Sequence, residues 1–263
     1  MLIDSHCHLD YWREEEITGV VSRAAEAGVG ALITIGTRLA QAAAVKRIAD
    51  AFADVWCTVG IHPHQAAESP IPAVEELVAT ADHPKVVGIG EAGLDYHYDR
   101  APRDIAAEVF RRQIRAARIT GLPLVVHARD ADADLAAILR DEHDQGGAFP
   151  FVLHCFSSGR ALAETGVALG GCVSFSGILT FRRSEALRAL ARDLPADRLL
   201  VETDAPFLAP EPFRGKRCEP AMVVHTAAAL AAVRGVSVAE IAALTTANAA
   251  RLFARLRLPE GVR

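Results

Sequence analysis

Short apolar runs recur along the whole chain and alternate with longer segments of helical periodicity. A short apolar run is typical of a strand buried in a parallel sheet, and a repeat of about 20 to 35 residues matches the length of a βα unit. We predict eight strands, at Leu2–Ser5, Ala31–Ile35, Val55–Gly60, Val86–Gly90, Leu122–Val126, Pro150–Leu153, Gly171–Phe175 and Leu199–Glu202.

Two of the intervening segments carry clear helix signals. Asp104–Thr120 has apolar residues at near-helical spacing and is followed by Gly121, a good residue to end a helix. Ser237 and Glu240 form the pattern of a capping box that opens another helix. We expect the arginines of the first helix to form a solvated face: Arg111, Arg112, Arg115 and Arg118.

Histidines and carboxylates stand at the ends of the first, fourth, fifth, sixth and eighth runs: His6, His8, Glu91, His127, His154 and Asp204. A doubly wound open sheet places its site at a switch point served by two or three strands, whereas a closed barrel brings all its carboxyl ends around one axis. We therefore predict a TIM-type (β/α)8 barrel, with residues 1–263 forming a single hydrolase domain.

Composition and charge are those of an ordinary globular protein. The formal net charge of −5 argues against a surface that holds nucleic acid by its field alone, although bound cations would reverse the potential inside an acidic pocket. No apolar stretch approaches the length of a membrane span, and we recognise no secretory signal at the N-terminus. The five cysteines are odd in number and scattered, which favours buried reduced thiols and a cytoplasmic location.

The residue types at the run ends suit metal ions. His6 and His8 lie two residues apart, so in a strand both imidazoles point to one side, although a purely structural pair has the same spacing. Glu91 can bridge two cations through its two oxygens, or alternatively pair with an arginine such as Arg129. Asp204 can bind a metal and deprotonate a water molecule, or alternatively cap the segment that follows it.

His127 and His154 each end an apolar run. Either one alone is typical of a core histidine bonded to the backbone, but two on successive strands favour a shared site. We assign His6, His8, Glu91 and Asp204 to one ion, and Glu91, His127 and His154 to a second. Two cations about 3.5–4 Å apart can clamp the attacking and departing oxygens of a phosphodiester.

These residues, in this order, resemble the TatD family of metal-dependent deoxyribonucleases in the amidohydrolase superfamily. The resemblance covers essentially the whole chain and rests on linked motifs: Asp4–Asp10, Gly60–His64, Gly90–Tyr96, His127–Ala131, His154–Ser157, Ser174–Gly177, Glu202–Pro206 and Arg214–Arg217. It implies a TIM barrel, divalent metals (Mg, Mn or Zn), and a 3′-to-5′ exonuclease acting on single-stranded DNA. It also implies that His6, His8, Glu91, His127, His154 and Asp204 are the ligands, with catalysis by Glu91 and Asp204.

The resemblance implies further that His62 and His64 line the pocket and contact the substrate phosphate. Cys218 stands where the family usually has Asn, so we expect one polar contact near the pocket to be lost, and Ala128 replaces a frequent Ser. Arg129 and Lys216 are candidates to hold phosphate oxygens.

Three more residues lie at the end of a ligand-bearing run or shortly after one. Tyr96 and Phe156 can stack on bases or pack in the core. Glu202 is expected to orient a histidine.

Three functional hypotheses remain open on the sequence alone. The first is a metal-dependent phosphodiesterase acting on DNA or RNA ends. The second is hydrolysis of an ester, amide or lactone at the same metals, for example as an aminoacyl-tRNA deacylase, since the fold does not fix the substrate. The third is a binding protein that has kept a metal site. We expect a monomer or weak oligomer, with no membrane and no obligate protein partner.

Overall fold

Eight parallel strands follow one another around a sheet in the order of the sequence. The computed structural model describes residues 1–68 and 70–258. The strands are β1 Leu2–Cys7, β2 Val29–Thr34, β3 Val55–Val59, β4 Val86–Asp95, β5 Leu124–Arg129, β6 Phe151–Leu153, β7 Cys172–Phe175 and β8 Leu199–Val201.

The sheet curls into a nearly closed barrel, which confirms the predicted fold. Parallel ladders join each strand to the next from β1 to β8. Between β1 and the segment after β8, the described residues form one isolated parallel bridge, from Cys7 to Ala205. The Asp204 N–H donates to the His6 carbonyl at 2.9 Å, so the closure lies directly beside two candidate ligands.

Helices fill the connections between strands. Within the described ranges there are nine of them: α1 Glu14–Glu26, α2 Ala42–Ala51, α3 Val74–Thr80, α4 Arg103–Thr120, α5 Asp132–Gly146, α6 Arg160–Ala168, α7 Glu185–Asp193, α8 Val223–Arg234 and α9 Val238–Leu252. The two helix signals are confirmed: α4 ends at Gly121 with φ of +68°, and Ser237 and Glu240 form the capping box of α9.

The core has two layers. One cluster takes a buried side chain from each of the eight strands, which can meet only inside the barrel: Ile3, Ile33, Trp56, Val87, Val125, Val152, Cys172 and Leu200. Phe253, just after α9, is fully buried in the same cluster. The larger cluster lies between the strands and the surrounding helices. A filled interior of this kind leaves the ends of the strands as the place for a site.

The expectation of a solvated arginine face on α4 holds only for the exposed Arg115, since Arg111, Arg112 and Arg118 are half-buried. Arg111, Arg115 and Arg118 all contact the buried carboxylate of Glu142 on α5. Arg112 instead pairs with Glu108 on its own helix and donates to the Pro72 carbonyl. The helical period correctly separates the apolar and basic sides of α4, but it does not show that a second helix covers the basic side.

The five cysteines are free, and all but the half-buried Cys155 are buried. No single helix among the described residues is long and apolar enough to cross a membrane, although one sharply bent pair, Pro220–Arg234 with Val238–Leu252, satisfies the length and composition test.

Candidate metal centre

One group of candidate ligands forms where β1 meets the segment after β8. The His6 and His8 Nε2 atoms lie 3.2 Å apart, and each lies close to Asp204 Oδ1, at 3.5 Å and 3.4 Å. Glu91 Oε2 approaches the same two nitrogens, at 3.6 Å and 3.9 Å. Four side chains from three separate parts of the chain therefore converge as the sequence analysis predicted.

A second group surrounds the other oxygen of Glu91. His127 Nδ1 and His154 Nε2 each lie 2.8 Å from Glu91 Oε1, and His62 Nε2 lies 3.4 Å from it. The two oxygens of one carboxylate thus face two sets of imidazoles, which is the arrangement needed by a bridging ligand. His62, expected only to contact substrate, is close enough to bind an ion together with Glu91 and His127.

Local irregularities in two strands aim these side chains. Between Asp4 and Cys7, β1 contains one more residue than the segment of β2 with which it pairs. Between Ile89 and Ala92, β4 likewise contains one more residue than the paired segment of β5. Such bulges re-aim a side chain, and here they contain His6 and Glu91. The predicted end of the fourth strand at Gly90 is therefore wrong, because β4 bends at the bulge and continues to Asp95.

The backbone around the ligands is also unusual. Gly93 has a φ of +146°, and a Cβ there would lie 2.0 Å from the His127 carbonyl oxygen, so only glycine permits β4 and β5 to approach so closely. Asp204 itself has a φ of +61°, and Cys155, which follows His154, has a φ of +42°. Non-glycine residues with such angles cluster at functional sites.

The charges at this centre suit a divalent cation. Within the described residues, no lysine or arginine ion-pairs with Glu91 or Asp204, and only histidines contact these carboxylates. Burial opposes ionisation of Glu91, but His154 and the neighbouring histidines outweigh it and hold the Glu91 pKa well below its usual range. Burial likewise disfavours charge on His154, yet Glu91 and Glu202 raise its pKa well above the ordinary value.

A proton and a metal ion compete for the same imidazole nitrogens. His62 and His6 differ from His154, because burial lowers the pKa of His62 to about 4 and that of His6 well below its ordinary value, which leaves both rings neutral at pH 7. Neutral imidazoles and ionised carboxylates are the ligands that zinc and other borderline metals accept, so the residues fit such an ion.

Comparison with known proteins places the chain in a family. The model of the family described as TatD related DNase matches residues 3–254. The chain belongs to this TatD family. The chain is therefore a TatD-family metal-dependent hydrolase, as the sequence motifs implied.

Among its TatD relatives, the metal-dependent hydrolase YcfH of Escherichia coli K12 is 42% identical over 258 residues, which are 96% of this chain and 95% of YcfH. The 3′-5′ ssDNA/RNA exonuclease TatD of Citrobacter rodentium is 37% identical over 240 residues, 89% of this chain and 90% of that protein. The crystal structure of the TatD homolog YjjV of E. coli superposes with a TM-score of 0.89 at 30% identity, covering 96% of this chain and 98% of YjjV.

Asp95 is a functional candidate that the sequence analysis left without a role, although it lies within a quoted TatD motif. Its Oδ2 is 3.1 Å from His127 Nε2 and 2.8 Å from His64 Nε2. Burial would raise the Asp95 pKa, but the contacts with His127, Tyr98 and His64 lower it, so the group is ionised. Asp95 can therefore fix the ring of His127, whose other nitrogen faces Glu91. The sequence signal that could have indicated this role is the presence of a second carboxylate four residues after Glu91.

Glu202 plays the predicted orienting part. Its Oε1 lies 3.3 Å from His154 Nδ1 and accepts the Cys155 N–H at 2.6 Å. Asp4 was not assigned a role, yet it accepts both the backbone N–H and the hydroxyl of Thr203, at 2.9 Å and 2.6 Å. Asp4 is fully buried, which raises its pKa to about 8. It thereby ties β1 to the segment that carries Asp204.

The predicted substrate contacts lie at different distances from the centre. His64 joins it through Asp95, as described above. Arg129 is exposed, lies 4.9 Å from the Tyr98 ring and lines a cavity of about 600 Å³ with His97 and Ser157. Lys216 is exposed with its ammonium 5.7 Å from the Phe213 ring, and no described contact joins it to the ligands.

Three other sequence expectations are resolved by burial. Phe156 is only 2% exposed and belongs to the core, so it does not offer a stacking surface. Tyr96 is half-buried, with the Arg103 guanidinium 3.9 Å from its ring and its hydroxyl bonded to Asp134. Cys218 is fully buried in the outer apolar cluster, so its side chain does not substitute for a polar contact in the pocket.

Proposed function

We propose that this TatD-family hydrolase is a deoxyribonuclease that removes nucleotides from the 3′ ends of single-stranded DNA, or of RNA, with two divalent metal ions. The observation that carries the proposal is the placement of Glu91, whose two oxygens face two separate groups of ligands. Residues 1–263 would form the single hydrolase domain. The relative from C. rodentium named as a 3′-5′ ssDNA/RNA exonuclease supports the substrate class.

In this proposal one ion would be held by His6, His8 and Asp204, and the other by His127 and His154 with His62 beside them. Glu91 would contribute to both sites. Bound Mg, Mn or Zn ions supply Lewis acidity for the phosphodiester and ease the loss of a proton from water. Asp204 is the acid best placed to take that proton, because its side chain is 16% exposed whereas that of Glu91 is 4% exposed. His64 and Arg129 lie further out, where substrate phosphates would pass.

The proposal is tested by following a 5′-labelled single-stranded oligonucleotide after the protein has been stripped of metal. We expect shortening from the 3′ end on addition of Mg, Mn or Zn, no shortening with excess chelator, and none when the 3′ end is blocked. Asp204→Asn should lose on the order of 10³-fold in rate. Asp193→Asn, which changes an exposed aspartate of α7, should lose none.

Two results would refute the nuclease. One is shortening that persists in chelator. The other is no shortening with any of the metals while aminoacyl-tRNA, ester or lactone substrates are hydrolysed, which would assign the same centre to the competing chemistry.

A further inference from the structure

Three aromatic side chains stand out by their exposure among the residues that the structure describes. Tyr11 is 44% exposed, Tyr98 is 49% exposed and Phe207 is 49% exposed. Each of them contacts a histidine of the centre: Tyr11 and Phe207 lie against His8, and Tyr98 lies against His64. Exposed apolar groups that gather at one place mark a binding surface rather than chance exposure.

Tyr11 and Phe207 form a pair of their own. Their ring centroids are 5.8 Å apart with the planes nearly perpendicular, at 89°. The Tyr11 ring also stacks on the His8 ring at 5.1 Å. Tyr98 is different, because Arg129, Arg100 and His97 already surround its ring. The pair Tyr11–Phe207 is thus the exposed aromatic surface without such cationic neighbours over its rings, and it directly contacts the candidate ligand His8.

The chain holds both aromatic residues at fixed positions relative to the ligands. Tyr11 follows His8 by three residues, and Phe207 follows Asp204 by three residues and donates its N–H to the Asp204 carbonyl at 2.9 Å. Arg217 donates to the Tyr11 carbonyl at 2.7 Å, so the segment after β8 also secures the turn after β1. A surface built in this way needs little ordering when a ligand binds.

The charge beside the pair suits an anionic ligand. Arg217 belongs to the basic segment Arg214–Arg217. Within the described residues no carboxylate ion-pairs with Arg214 or Lys216, whose cationic groups lie over the rings of Phe181 and Phe213. Three positive charges, Arg214, Lys216 and Arg217, thus follow the exposed Phe207 in the chain, and Arg217, which also lies 3.8 Å from Glu16, contacts the Tyr11 segment. That combination is typical of surfaces that bind single-stranded nucleic acid, since rings stack on bases and cations attract phosphates.

We propose that Tyr11 and Phe207 form the stacking site for the terminal base of a single-stranded nucleic acid, which places the adjacent phosphodiester at His8 and Asp204. This inference rests on the proposed nuclease function and adds the feature of the substrate that is recognised. Base stacking on an aromatic side chain is sequence-tolerant, so the site selects for the presence of a base and not for its identity.

The test measures binding separately from hydrolysis. In an Asp204→Asn background, fluorescence anisotropy compares decathymidylate with the same oligomer ending in an abasic tetrahydrofuran residue. We expect the abasic end to bind about 5- to 160-fold more weakly, the range given by stacking of one base. Tyr11→Leu and Phe207→Leu should each reduce that preference, and Phe207→Tyr should retain it.

Ile119→Ala is the matched control, because it removes an apolar side chain that is 66% exposed at the end of α4. It should leave the preference unchanged. Circular dichroism and thermal unfolding establish that each variant is folded, and two independent aromatic positions prevent one misfolded variant from deciding the result.

The outcomes separate this inference from the proposed function. Equal binding of the two oligomers by the background protein, no binding of either, or a preference that survives both leucine substitutions would overturn the stacking site. If the base preference depends on Tyr11 and Phe207 but the wild-type protein cleaves no nucleic acid with any metal, the stacking site stands and the nuclease proposal fails. If the wild-type protein cleaves nucleic acid but shows no base preference, the nuclease proposal stands and the stacking site fails.

Discussion

Two glutamates of this protein are buried to nearly the same degree and are each contacted by several basic side chains, yet the kind of basic side chain differs. The side chain of Glu91 is 4% exposed and lies among His127, His154 and His62. The side chain of Glu142 is 3% exposed and lies among Arg111, Arg115 and Arg118. The first lies in the candidate metal centre, and the second joins helices α4 and α5.

The two carboxylates differ in whether the basic groups around them can lose a proton. A guanidinium keeps its proton at every relevant pH and has no lone pair to offer, so it neutralises Glu142 permanently and cannot bind a metal. An imidazole can lose its proton and then bind a cation through the freed nitrogen. The comparison shows that a buried carboxylate indicates chemistry only when the groups around it can be exchanged for an ion.

The largest effect is expected from Glu91→Gln. An amide cannot bridge two cations with two anionic oxygens, so bound metal should be lost and the hydrolysis rate should fall on the order of 10³-fold or more. Metal content by elemental analysis and rate on single-stranded DNA are the measurements. Glu142→Gln is the matched control and should keep both. A Glu91→Gln protein with full metal content and near-normal rate would remove the distinction between the two carboxylates.

A smaller loss is expected from Asp95→Asn, which tests whether a carboxylate behind a histidine matters. Asp95 contacts the nitrogen of His127 that faces away from Glu91, and partners in that position typically affect metal affinity by about 10- to 100-fold. Competition with a chelating dye measures that affinity. Asp134→Asn, which removes a carboxylate bonded to the Tyr96 hydroxyl, should leave it unchanged. If Asp95→Asn and the parent protein bind metal with equal affinity, Asp95 does not contribute to metal binding through His127.

The same pair of glutamates shows how far the sequence can be interpreted. The barrel was predictable because buried parallel strands are apolar runs, and most predicted strands lie within two residues of those observed. Glu91 was predictable because it follows such a run. The bulge that aims Glu91 was not, because an extra residue in one ladder depends on its pairing with the next strand. For the same reason β4 was predicted too short.

Contacts between side chains that are distant in the sequence could not be predicted either. His62 was assigned to the substrate, since nothing in its own segment shows that the chain brings it to 3.4 Å from Glu91. The role of Glu142 could not be predicted, because its position on α5 gives no sign that it faces three arginines of α4. The exposed aromatic residues were missed for the opposite reason, since a sequence does not show which aromatic side chains fail to be covered.

The smallest effect is expected from Glu142→Gln, measured now as stability. The amide leaves three guanidiniums without their shared anion, but their side chains are 26%, 44% and 23% exposed, so water can partly replace the lost contacts. We therefore expect a loss of about 1–2 kcal/mol in the free energy of unfolding, below the range for a fully buried pair. Urea denaturation with an unchanged m-value gives the measurement.

Glu164→Gln, at the exposed pair with Arg160, should change stability by less than about 0.5 kcal/mol. If Glu142→Gln instead lowered the hydrolysis rate of the folded protein, the arginine cluster would be coupled to the centre, and the contrast between a structural and a chemical carboxylate would fail.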